Sequence, residues 1–340
     1  MARGIVARLR EHWVLLVGTI ALVALVIAVD PANVGRALAG ADPRILALML
    51  PCVLLLYLAH GIAWWIALRG AGVEIGFRRA VTLTYVSQMF TFLPGGDLWR
   101  VPLVESGRDR RAQVGVVTGT VVFDDLVYFG VLTLGMIPAA VRAPLLVLPL
   151  GLTLLPQALI FAILLWPRLY HFLARLVTGL PPLRRFEVQV QLIGPTFRRL
   201  VRPHVLVPVL LLDTIAALLA TTLFGLALGG VHAPGIGATQ VAFTYSLGQV
   251  GSSLTVLPAA LGIYEGLMTG MIAAQGVAPA VAAVAALLYR AFNDILMAGV
   301  GAVVAIWLRR RDRRRPLGPD AEDAEMAPRL DPAADGSPCG

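Results

Sequence analysis

The chain has no lysine, only two cysteines in 340 residues, and few charges, with Asp, Glu, Lys and Arg together making up 14%. Each shortage excludes something. Without lysine there is no Gly-x-x-x-x-Gly-Lys loop to hold nucleotide phosphates, so any driving force must come from a gradient, a partner or downstream consumption. Cys52 lies inside an apolar run and Cys339 near the C-terminus, which gives neither a disulfide framework nor a zinc-ligand spacing. Soluble chains carry roughly 25% charged residues, and this one pairs its lower share with 58% hydrophobic residues, so it is not a water-facing globule. Its apolar surplus belongs in a bilayer.

All 28 basic residues are arginine. The net charge of +8 hides a split, because residues 316–340 hold six acids and one base, for −5, and the remainder carries +13. The arginines cluster beside apolar runs, where they act as orientation signals; no nucleic-acid partner is expected. The acidic, Pro/Ala-rich tail cannot bury a core and is expected to be disordered.

An apolar stretch from Trp13 to Val29 follows Arg3, Arg8 and Arg10. It is longer than a signal-peptide core and is taken as a retained first span. Further spans are expected at 45–68, 113–140, 144–166, 204–228 and 279–308, each able to cross a hydrocarbon core of about 30 Å. Two other apolar segments, 78–111 and 238–276, are interrupted at Leu93-Pro94-Gly95-Gly96-Asp97 and Leu257-Pro258-Ala259-Ala260. Proline breaks a helix interior but suits the first turn of a new one, so each segment is expected to be two half-helices joined by a turn, the second starting at the proline. Such backbone survives at membrane depth only inside protein or beside a wet cavity. If both segments are re-entrant hairpins and both termini are cytoplasmic, 23 arginines lie on the cytoplasmic side and three outside. A single full crossing would send Arg309–Arg315 outside, so re-entrance is the better account.

The broken segments resemble each other. Each has Thr-Tyr in its first half (Thr84-Tyr85, Thr244-Tyr245), then Leu-Pro, then a charged residue, Arg100 or Glu265. An opposite charge follows 25 positions later in both cases, Asp125 after Arg100 and Arg290 after Glu265. One hairpin enters from the cytoplasm and the other from outside, which makes an inverted repeat of the secondary-transporter kind. Ionisable residues in apolar surroundings face a partner or a wet cavity. The candidates are Asp97, Arg100, Asp124, Asp125, Asp213, Glu265, Arg290 and Asp294, with Arg290 and Asp294 able to neutralise each other at four residues apart. Arginine grips phosphate in two-point fashion, and a half-helix start adds unpaired N–H groups, so an anion site is expected where the hairpin tips meet. Ser87, Gln88, Gln249, Ser252 and Ser253 are expected mainly to hydrogen-bond between helices. The arginine-rich segment 168–202 is expected to be an amphipathic stretch on the cytoplasmic leaflet.

At Leu93-Pro94-Gly95-Gly96-Asp97-Leu98-Trp99-Arg100, Leu257-Pro258-Ala259-Ala260-Leu261-Gly262-Ile263-Tyr264-Glu265 and Leu288-Tyr289-Arg290, the chain resembles the lysylphosphatidylglycerol synthase transmembrane, or flippase-like, family. That family includes the membrane half of the multiple peptide resistance factor and a hopanoid-associated membrane protein. The resemblance covers roughly residues 10–310 and implies two re-entrant hairpins around a lipid cavity. It also implies movement of a lipid or lipid-linked molecule between leaflets, and it marks Asp97, Arg100, Glu265 and Arg290. Ala259-Ala260 departs from the usual glycine pair, Asp124-Asp125 stands where an arginine is common, and no aminoacyl-transferase domain is expected.

The expected architecture is therefore an all-α polytopic membrane protein of about six spans plus two re-entrant hairpins, in the cytoplasmic membrane. Residues 1–12 form a basic N-terminus, 13–308 the transmembrane domain, and 309–340 a basic cluster with the acidic tail. The expected activity is non-enzymatic translocation of an anionic phospholipid, polyprenyl-phosphate or hopanoid-class lipid, without metal or cofactor. Asp97, Arg100, Glu265, Arg290, Asp125 and Asp294 would bind the substrate, with Pro94, Gly95, Gly96, Pro258 and Gly262 at the hairpin tips. Two alternatives stand: a lipid-modifying enzyme holding a divalent metal on Asp97, Asp124 and Asp125, and a scaffold for a biosynthetic enzyme that docks through its tail.

Overall fold

The computed structural model describes residues 39–91, 96–104, 110–233, 235–253 and 262–312, together with Ala32 and Arg36. The expected first span, the acidic tail, Pro94, Gly95 and Pro258 lie outside the described residues, as does the side chain of Asp97. The described residues are overwhelmingly helical and contain no strand. The helices are α1 (Pro43–Gly70), α2 (Phe77–Ser87), α3 (Arg110–Arg142), α4 (Val147–Leu165), α5 (Pro167–Thr178), α6 (Glu187–Leu200), α7 (Pro203–Gly230), α8 (Ala238–Ser253), α9 (Ile263–Ala273), α10 (Pro279–Arg290) and α11 (Met297–Asp312). Short 3₁₀ stretches occupy Gln88–Phe90 and Gly96–Val104, and a π-helical turn, Ala291–Leu296, joins α10 to α11.

Five helices are long and apolar enough to cross a bilayer: Pro43–Gly70, Gln113–Arg142, Pro144–Leu165, Pro203–Gly230 and Pro279–Leu308. They coincide with the five later spans expected from the sequence, and the chain is an all-α polytopic membrane protein. Local signals fix their ends. Asp42 caps α1 by accepting a hydrogen bond from the Arg44 amide (2.8 Å), and proline starts α1, α5, α7 and α10, where its missing donor costs nothing. α4 turns Leu148, Leu152, Leu155 and Leu159 outward, the surface expected of a helix at the lipid-facing rim.

At the centre lies the antiparallel pair α1–α7. The Asp42 amide donates to Gly230 O (2.9 Å) at one end, Cys52 Sγ donates to Leu219 O (3.2 Å) further along, and Gly70 meets Val205 at the other end. These helices precede the two broken segments, and an inverted repeat requires its equivalent elements to run in opposite directions. The packing then crosses over. α2 of the first broken segment packs on α11, the end of the second unit, and α8 of the second packs on α3, the end of the first. Glycines serve both crossings. A Cβ on Gly301 would lie 2.4 Å from Tyr85 O, and one on Gly135 would lie 3.8 Å from Ser246 Oγ.

The second halves of the broken segments differ from the expected helices that start at proline. In the first segment it is the 3₁₀ stretch Gly96–Val104, which contains Pro102 and so lacks one helical donor. In the second, the α-helix starts at Ile263, after Gly262 at φ +80°, a conformation that glycine adopts without strain. The segment 168–202 forms two short helices, α5 and α6, packed against each other where Gly194 leaves room for the Tyr170 ring. The Tyr170 hydroxyl donates to Val190 O across that contact.

Candidate functional site

The first centre is built on α3. Asp124 lies eleven residues past Gln113 in its 30-residue span, about 16 Å from the span's start at 1.5 Å per residue and so well inside a hydrocarbon core of about 30 Å. Arg100 reaches it from the 3₁₀ stretch, Nη1 to Oδ2 at 3.4 Å, and the two residues are 4% and 2% exposed. The guanidinium also lies over the Trp64 ring of α1, 5.6 Å from its centroid. Trp64 is itself fixed, its indole N–H donating to Thr120 Oγ1 at 3.1 Å. The equal spacing in the sequence singles out Asp125, but the structure brings Asp124 to Arg100. Neighbouring helix residues point about 100° apart, and Asp125 is half-buried on the next face.

The second centre mirrors the first with its charges exchanged. Arg290 also lies eleven residues into a 30-residue span, counted from Pro279. Its Nη1 donates to Glu265 Oε1 at 2.5 Å, and its Nε lies 2.9 Å from Asp294 Oδ2. The other oxygen of Glu265 accepts the Gly262 amide at 2.7 Å, so a single carboxylate both caps α9 and ties it to α10. Tyr264 supplies the aromatic face, its ring 5.6 Å from the Arg290 guanidinium. Asp294 is oriented by the Asn293 amide (2.8 Å) and sits on the π-turn, a geometry that gathers at functional sites. Glu265 is fully buried and Arg290 5% exposed.

Of the sequence-selected residues, the structure thus joins Arg100 with Asp124, and Glu265 with Arg290 and Asp294. Gly262 lies at the start of the second half-helix, and Gly96 begins the 3₁₀ stretch. Four of the polar residues expected to bridge helices bond within their own segment. Ser87, Ser252 and Ser253 donate to carbonyls three residues back in their own helices, and Gln88 donates to Thr84 O. A short side chain on a helix reaches its own preceding turn more readily than a neighbouring helix.

Sequence reasoning missed the aromatic and imidazole groups between the centres. Tyr128, Tyr245 and Tyr289 form a hydroxyl chain, Tyr128 to Tyr245 at 3.1 Å and Tyr289 donating to Tyr245 at 3.2 Å. Tyr264 packs on Tyr289 with ring centroids 6.1 Å apart. His60 stands edge-on to Tyr128 at 4.6 Å, with its Nδ1 3.7 Å from Asp213 Oδ1. His60 had a signal, being an ionisable group inside an apolar run. Tyr245, Tyr264 and Tyr289 lay in the repeated and family motifs, but nothing there marked a hydroxyl chain, and Tyr128 had no signal, because aromatic residues are ordinary in such runs.

Residues 13–311 match the family described as Lysylphosphatidylglycerol synthase TM region. The chain belongs to that family. No curated protein matches it. Membership makes this a multi-pass membrane protein of lipid handling, and the span of the match takes in both broken segments and every residue of the two centres.

Proposed function

We propose that this member of the lysylphosphatidylglycerol synthase transmembrane-region family translocates an anionic lipid between the leaflets of the cytoplasmic membrane, with both termini cytoplasmic. The observation that carries the reading is the pair of buried arginine–carboxylate centres, each eleven residues into a 30-residue span and each joined to the second half of a broken segment. Hairpins re-entering from opposite leaflets would present one centre to each side.

A buried guanidinium has five donors in a planar fork, and phosphate matches that fork as well as carboxylate does. A lipid phosphate arriving at Arg100 exchanges with Asp124, and one arriving at Arg290 exchanges with Glu265 or Asp294. Each exchange trades one anion for another at the guanidinium and releases a carboxylate, while the acyl chains stay in the bilayer throughout. The two repeats, packed crosswise on each other's long spans, then rock about the antiparallel α1–α7 pair.

The test is reconstitution of the full chain into vesicles carrying fluorescent phosphatidylglycerol, with quenching of the outer leaflet. Protein-containing vesicles are expected to lose the protected half of the signal, and empty vesicles to keep it. Arg100→Ala and Arg290→Ala each remove a charged hydrogen-bond partner worth about 1.5–3 kcal/mol, so crossing should slow roughly ten- to a hundredfold. Crossing at wild-type rate by both folded variants would remove the proposed site.

A further inference from the structure

Asp213 belongs to neither arginine centre and has no part in the lipid site proposed above. It lies ten residues into α7, it is fully buried, and neither of its carboxylate oxygens accepts a hydrogen bond among the described residues. His60 Nδ1, on the antiparallel partner α1, stands 3.7 Å from Oδ1. Asp124, Asp125 and Arg100 are the further charges acting on it, from α3 and the 3₁₀ stretch. Tyr128 of α3 and Tyr57 of α1 flank the imidazole, with ring centroids 4.6 and 6.3 Å from it.

Asp213 itself carries the argument, being fully buried with no hydrogen-bond donor on either oxygen among the described residues. A carboxylate left ionised in that state at membrane depth is too costly to keep, so it has to share additional positive charge. A multidentate cation would need several converging acids, and among the described residues no three His, Cys, Asp or Glu side chains converge on a metal position. A proton needs one base. The pair Asp213–His60 offers two, and through Tyr128 it touches the hydroxyl chain leading by Tyr245 to Tyr289, next to Arg290.

We propose that Asp213 and His60 form a proton-binding site whose filling is coupled to passage of the anionic lipid; the coupling, though not the proton binding, rests on the translocation reading. The proton adds to Asp213 Oδ1 or His60 Nδ1 and is released unchanged on the other side, with no other bond formed or broken. One proton moving with one phosphate charge makes each passage electroneutral, so a pH gradient, and not a membrane potential, drives the lipid.

Two measurements on the full chain separate the claims. Infrared titration of purified protein reads protonated carboxyl groups directly. It is expected to show a carboxylic-acid carbonyl band that vanishes as pH rises, shifts when the protein carries isotope-labelled aspartate, and is absent from Asp213→Asn. No such band, or one untouched by labelling, overturns the proton site, and the labelling arm does not depend on the variant folding. In vesicles with a gradient of one pH unit, the fluorescent phosphatidylglycerol should distribute about tenfold in favour of one leaflet, the ratio for one proton per lipid. Asp213→Asn should leave it evenly distributed, and even distribution with wild-type protein overturns the coupling. A titrating band in a protein that moves no lipid under any gradient refutes the translocation reading and the coupling while the proton site stands.

Discussion

Arg290 shows most clearly what the buried charges cost and why their arrangement matters. Two carboxylates share it, and removing it alone strands both. Arg290→Ala should therefore destabilise the protein by about 3–5 kcal/mol, read as a lower thermal midpoint in detergent. The double replacement Glu265→Gln with Arg290→Gln leaves only Asp294 to compensate, so it should recover part of that loss; a double variant no more stable than Arg290→Ala would show that the contact is not the stabilising element. Much of this centre was legible in the sequence. Glu265 and Arg290 stood out as charges in apolar runs, and Arg290 and Asp294 were paired by helical spacing. The 25-residue spacing pointed to Asp125 while Asp124 makes the contact with Arg100, because spacing between segments cannot tell which of two adjacent aspartates faces inward. The role of Trp64 and the tyrosine hydroxyl chain emerge only once separate helices are brought together.

The helices themselves were legible because a crossing needs a long apolar run, and five of them fall where such runs predict. The halves beyond the breaks were not, because their form depends on Pro102 in one case and on the Gly262–Glu265 cap in the other. That cap is open to test. Gly262→Ala places a Cβ on backbone at φ +80° and should cost about 1–2 kcal/mol, checked by thermal unfolding, whereas Gly76→Ala, with open space around its Cβ, should cost little. The crossing of α11 over α2 is tighter. Gly301→Val drives side-chain atoms into the Tyr85 backbone and should cost about 1–3 kcal/mol and lower the monodisperse yield, whereas Gly135→Ala has ordinary contact distance to Ser246 and should be tolerated. Re-entrance can be read from thiol labelling in a Cys339→Ser background, since Cys52 is buried. An impermeant maleimide should reach Gly95→Cys from the cytoplasmic side and Ala260→Cys from the outer side; labelling of both from one side would contradict opposed hairpins.

For the molecule as a whole, symmetry links the two centres. The antiparallel α1–α7 pair and the crosswise packing of α2 on α11 and α8 on α3 mean that neither repeat can move without the other's long span. The sequence repeat predicted an inverted relation between the units, but the exchange of partners across it is a tertiary fact that no spacing contains. In the proposed re-entrant arrangement the two buried guanidinium centres would face opposite leaflets and hand a phosphate across the bilayer without exposing it to hydrocarbon. The most direct test is photocrosslinking with a phosphatidylglycerol that carries its reactive group beside the phosphate. Vesicle-bound protein is irradiated and the labelled peptides are identified by mass spectrometry. The account predicts adducts within residues 96–104 and 279–296, reduced in the Arg100→Ala and Arg290→Ala proteins respectively. Adducts confined to the outward leucines of α4, and unchanged in either variant, would contradict it.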